Sequence, residues 1–149
     1  MVDFLHSRTM EREKKTVVVG VDGSPDSLAA LDWAATYAER FGLKLKVVVT
    51  WHVPSPITAA VLAADLEGAA DDIAQQAVKR AQDAHQALGI THDVVSGTPG
   101  KVLVATSGDA ALLVVGTSRM LGSVSSYCSH YATCSVVIVR ETQEPPAVE

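Results

Sequence analysis

Two hydrophobic rhythms alternate along this chain. TVVVGVD, residues 16–22, is an unbroken apolar and β-branched run ended by Asp-Gly, the pattern of a strand buried on both faces. A helix is predicted directly after it. Ser24 is placed to cap that helix, Pro25 falls where a missing N–H costs nothing, and Leu28, Leu31, Ala35 and Ala38 form one apolar face before Gly42 stops it. LKVVVTW, residues 45–51, reads as a second strand whose exit, VPSP, holds two prolines that cannot continue a ladder. From about Asp65 the period becomes helical, with Ile73, Ala77, Ala81, Ala84 and Leu88 on one face and Gly89 closing the segment. THDVV (91–95) is a shorter strand, Gly100 to Ser107 a short helix, ALLVVG (111–116) a fourth strand, Ser123 to Tyr131 a last helix and SVVIVR (135–140) a fifth strand.

Strict β-α alternation with nearly uniformly apolar strands implies an α/β, doubly wound parallel sheet covered by helices on both faces, because each parallel return needs a crossover. Such sheets collect ligands at the carboxyl ends of the strands, where the strand order reverses. The two loops richest in glycine and small polar residues are VDGS after the first strand and GTSRMLGS after the fourth. They face one another only if those strands are neighbours.

Composition narrows the field. At 149 residues and 48% apolar, the chain suits one domain with one well-formed core. Its formal charge of −5 and interspersed charges offer no basic stripe for nucleic acid. The first residues lack the apolar centre of a signal peptide and no stretch reaches membrane-spanning length, so the expected compartment is the cytoplasm, with no membrane partner. Cys128 and Cys134 match neither a CxxC redox pair nor a zinc site and read as reduced, partly buried thiols. No metal site and no catalytic triad is predicted; His52, after the second strand, lacks a Ser, Cys or carboxylate at a persuasive spacing. Trp33, Tyr127 and Tyr131 read as core or interface anchors.

VVVGVDGS, VTWHVP, VVSGTPGKVLV, LLVVG and the closing GSVSSYCSHYATCSVVIVR follow one another in the order found in the universal stress proteins, which the chain resembles over residues 16–140. That resemblance implies a five-stranded sheet in the order 3-2-1-4-5, which makes strands 1 and 4 neighbours. It also implies a domain over 15–140, with residues 1–14 and 141–149 as mobile extensions.

Many members of that family bind ATP through a loop of the form G-x2-G-x9-G followed by Ser or Thr. Here Gly116 matches the first glycine and Gly122-Ser123 the last pair, but five residues lie between them where the pattern has twelve, so the middle glycine is missing. Five residues suffice to join a strand to a helix. What the longer loop would add is a run of backbone N–H groups around a triphosphate. What survives is the helix amino end at Gly122, Ser123 and Val124, whose N–H groups and dipole suit an anion, with Arg119 as an added charge. The alternative is that Ser123 merely caps its own helix and Arg119 points to solvent. On the adenosine side, the resemblance puts Val21 and Asp22 beside the base or ribose and Thr50 in the base pocket. Read alone, without the resemblance, Asp22 in VDGS is more readily a turn-former bonding its own backbone.

The resemblance therefore implies a non-catalytic stress-response domain binding an adenine nucleotide, ATP or AMP, weakly because of the short loop. A paralogue without nucleotide, serving only as an interaction module, is the alternative, and a nucleotide-hydrolysing enzyme is a remote one. The last strand, Ser135, Val136, Val137, Ile138 and Val139, carries no charge or proline to blunt an open edge, and the resemblance implies a homodimer through it. The apolar tract 54–68 reads as a flap over the site or as part of an interface.

Overall fold

The computed structural model describes residues 14–53, 59–117 and 121–140. Its elements run β1 (Thr16–Gly20), α1 (Pro25–Arg40), β2 (Lys44–Trp51), α2 (Ala59–Ala84), β3 (Ile90–Ser96), α3 (Pro99–Thr106), β4 (Leu112–Thr117), α4 (Ser123–Tyr131) and β5 (Ser135–Arg140). All strand pairs are parallel and the sheet order is β3-β2-β1-β4-β5. Both the alternation read from periodicity and the order implied by resemblance are present.

The sheet separates two cores because neighbouring strand residues point to opposite faces. Val17, Val19, Leu45, Val47, Val49 and Val114 pack under α1 and α2, where Ala30, Ala34, Ala35, Ala38, Ala74, Ala77 and Ala81 meet them. The small helix residues let both helices lie close to a sheet whose bulk comes from branched strand side chains. Val18, Val48, Leu113 and Val115 face the other way, onto Leu103, Ala110 and Cys128 of the α3–α4 side. Burial first, and then neighbouring Cys134, pushes the Cys128 thiol up in pKa, which suits a thiol packed as a small apolar group.

Local signals explain most boundaries. Ser24 Oγ accepts from Ser27 N at 3.3 Å and caps α1, with Pro25 in the first turn. Gly42, at φ 66°, turns the chain out of that helix in a conformation that favours glycine. α2 differs from expectation: it starts at Ala59 rather than near Asp65 and ends at Ala84. Much of the 54–68 tract is thus helix, and residues 54–58 lie outside the described residues. Its other end is closed by Gln82, whose Nε2 donates to the carbonyls of His85, Gln86 and Leu88, so Leu88 is buried beyond the helix rather than within it. None of the described helices is long and apolar enough to cross a membrane.

Candidate functional site

β1 and β4 are neighbours although their residues are far apart in the chain, so the loops after them flank one crevice at the carboxyl end of the sheet. A cavity of about 270 Å³ lies there. Val21, Asp22, Thr50, Gly116, Gly122, Ser123 and Val124 all line it. Sequence reasoning missed Asp26 and Ser27 from the first turn of α1, Pro99 and Leu103 from α3, and Thr117 at the end of β4, which also line it, as do Gly20, Val48, Val115 and Ser125. The signal for Asp26 and Ser27 was present in VDGSPDS, since a helix starting at a strand's carboxyl end turns its first residues toward the crevice.

Asp22 is exposed at the mouth, and one of its carboxylate oxygens, Oδ1, accepts from the Ser24 amide at 2.9 Å and from the Ser24 hydroxyl. Its own amide donates to Ser27 Oγ at 3.2 Å, and Ser27 Oγ donates in turn to the Ser24 carbonyl at 3.0 Å. Partial burial pulls the Asp22 pKa upward, but the bonds from Ser24 and Ser27 outweigh it and hold the carboxyl below its ordinary value. The turn-forming role is therefore real. The geometry does not force a choice, because that bonding occupies Oδ1 and the residue still lines the cavity.

Opposite stands the amino end of α4. Gly122 is its N-cap, at φ −81° and ψ 179°, and no side chain caps it. This corrects the idea that Ser123 caps its own helix: Ser123 is the first helical residue, and its neighbour Ser125 donates to the Gly122 carbonyl at 3.2 Å. The N–H groups of the first turn thus lack a side-chain acceptor and border the cavity, the condition under which a helix end attracts an anion. Arg119, the proposed added charge, lies outside the described residues.

Gly116 has a second reason to be glycine. A Cβ placed there would come within 2.2 Å of the Asp26 carbonyl oxygen and 2.9 Å of the Ser27 nitrogen. The end of β4 presses on the backbone of α1's first turn, a contact that brings the two sides of the cavity together. Gly122 has nothing within 4 Å of such a Cβ.

His52 is exposed and is not part of the cavity wall. Among the described residues, no three His, Cys, Asp or Glu side chains gather as metal ligands would. A larger groove, about 760 Å³, follows the outer face of α1 past Trp33, Tyr37 and Phe41. It is open and aromatic and shares no lining residue with the smaller cavity. The smaller cavity, with a carboxylate on one side and a free helix end on the other, is the candidate ligand site.

Comparison with known proteins adds an independent line. A family model described as the Universal stress protein family matches residues 14–140. Universal stress protein Rv2005c of Mycobacterium tuberculosis is 37% identical over 146 residues, an alignment that covers 86% of this chain and 48% of that protein. The chain thus spans about half the length of the curated relatives it matches. Among solved structures, a universal stress protein in complex with cAMP superposes with a TM-score of 0.69 at 29% identity, over 86% of this chain and 98% of that one. UspA of Lactobacillus plantarum superposes at 0.73 with 23% identity, over 85% and 97% of the two chains, and shares the fold.

Proposed function

From the premise that the chain belongs to the universal stress protein family, we propose that its cavity receives an adenine nucleotide weakly, chiefly through the adenosine half, and that the domain acts in stress adaptation without catalysis, through a homodimer and partners. The observation that carries this reading is the convergence of Asp22, Thr50 and the uncapped start of α4 on one cavity between neighbouring strands β1 and β4. The similar protein bound to cAMP supports an adenine ring with a single phosphate.

Phosphate contacts beyond the first need donors that the five-residue connection does not supply. Each charge-assisted hydrogen bond forgone costs about 1.5–3 kcal/mol, so ATP should bind at least tenfold more weakly here than in a relative with the full loop. Calorimetric titration with ATP, ADP, AMP and cAMP tests the proposal. The expected result is weak binding in which ATP gains little over AMP. Submicromolar ATP with much weaker AMP would refute the weakened-loop reading.

A second reading, an interaction module without nucleotide, draws on the engagement of Asp22 with Ser24. Absence of binding by all four nucleotides would favour it. Either reading includes a dimer formed through β5, an edge strand of the sheet, whose outer side along Ser135–Val139 pairs with no other strand among the described residues.

A further inference from the structure

α1 carries Trp33, Tyr37 and Phe41 at four-residue spacing, so their side chains follow one stripe of the helix. Ring centroids of Trp33 and Tyr37 are 5.3 Å apart, and those of Tyr37 and Phe41 4.5 Å. Tyr37 packs in part on the core, while Trp33 and Phe41 are 38% and 64% exposed. The stripe lines the groove of about 760 Å³, which extends from Pro25 to Phe41 and includes Val139 near the end of β5. Its charged lining residues are Asp32, Arg40 and Arg80, so the groove is net positive in a chain whose formal charge is −5.

We propose that this groove is occupied by the segment of the same chain that follows β5, ETQEPPAVE, in place of the mobile extension that the family resemblance implies. Residues 141–149 lie outside the described residues. Their attachment point does not: Val139 lines the groove and Arg140 ends β5, so the segment starts within two residues of the groove wall. A segment tethered this closely meets its site at an effective concentration on the order of millimolar, and weak contacts suffice. A free peptide or a second copy has no such advantage. Neither a nucleotide nor a dimer is required.

Direction and length agree. All strands are parallel and α1 begins just after the carboxyl end of β1, so β5 delivers the chain at the Pro25 end of the groove. From there the segment has to run back along the helix. Pro25 to Phe41 covers about 24 Å at 1.5 Å per residue. The residues of ETQEPPAVE in polyproline II conformation, which Pro145-Pro146 favours, reach about 28 Å. Counted from the Pro25 end, Pro145 and Pro146 fall about 16–19 Å along. That is between Trp33 at about 12 Å and Phe41 at about 24 Å.

Composition agrees as well. Polyproline II segments dock in aromatic-lined grooves, where a preformed backbone loses little entropy on binding. Glu141, Glu144 and Glu149 make the segment negative with no balancing cation, opposite in sign to the groove. Among the described residues no ion pair engages Arg40, which stands at the far end of the groove, where Glu149 arrives.

NMR of the full chain tests this contact. In a mixture of isotope-labelled and unlabelled protein, nuclear Overhauser contacts from the Trp33 ring to Pro145 or Pro146 are read separately within and between molecules. Pro145→Ser/Pro146→Ser and Glu144→Lys/Glu149→Lys variants are compared with wild type, and circular dichroism verifies their fold. The expected result is contact within one molecule and a Trp33 indole resonance that is independent of protein concentration but displaced in both variants. In the charge-reversed variant the ratio of docked to undocked segment should fall at least about fivefold. Contact found only between molecules would assign the groove to a neighbouring copy's segment and overturn the proposal. Absence of any contact, with a Trp33 resonance that neither variant moves, would overturn it as well.

Discussion

Asp22 stands at the point where turn chemistry and ligand chemistry meet. Its hydrogen bonds with Ser24 hold its carboxyl below the ordinary value, against the upward pull of partial burial. A group whose folded pKa is depressed stabilises the fold above its unfolded pKa, and that contribution is lost as pH falls through the folded value. The loss should therefore begin below about pH 4, the usual range of a free aspartate. Asp22→Ala should melt slightly below wild type near neutral pH, and the gap should close in strong acid. Scanning calorimetry across that range would show a constant gap if the carboxylate were irrelevant to the turn. The same variant should bind AMP more weakly if Asp22 also meets the ribose or base. Unchanged affinity would leave it the turn role alone.

At the scale of elements, the two loop glycines prove to be different. Gly116 is held at glycine by the backbone of α1's first turn, while Gly122 has open space around it. Gly116→Ala must push β4 and α1 apart and should cost about 1–3 kcal/mol, the usual range for overpacking a tight contact. Gly122→Ala meets no clash and should cost less, about 0.5–1 kcal/mol, the preference of an N-cap for glycine over alanine. Urea unfolding of both variants checks this, and equal losses would show that the β4–α1 contact is not the source of the difference. Gly116→Ala should also disturb the cavity, since Gly116, Asp26 and Ser27 all line it.

At the scale of the molecule, the edge strand decides how the proposed dimer is to be probed. Val137 and Val139 pack toward the α1 side of the sheet and Val136 and Ile138 toward the α3–α4 side. Charges placed at Val137 and Val139 would therefore disturb packing as well as pairing, and loss of the dimer in such a variant would be ambiguous. Backbone hydrogen exchange avoids that difficulty. If β5 strands pair between copies, the outward amides of Ser135–Arg140 should exchange more slowly as concentration rises, while those of β3, at the opposite edge, should not change. Equal protection of β5 at all concentrations would show that its edge is not the interface.

Element order, strand burial, the cap of α1 and the shortness of the β4–α4 connection were legible in the sequence, because each depends on residues within a few positions of one another. The seven residues expected at a ligand site all line the cavity, but they were named through resemblance; periodicity alone located only the two loops. The tertiary structure decided what depends on distant residues meeting. It showed that Gly116 is pressed against Asp26 and Ser27, that Pro99 and Leu103 complete the cavity, and that Trp33, Tyr37 and Phe41 share a groove with Val139. It also moved the start of α2 to Ala59, where an apolar tract carries neither a clear cap nor a clear period. Local pattern records which face of an element is apolar. It does not record which backbone lies against that face, and here the meeting of distant elements sets Gly116 against the first turn of α1 and Val139 beside that helix's aromatic side chains.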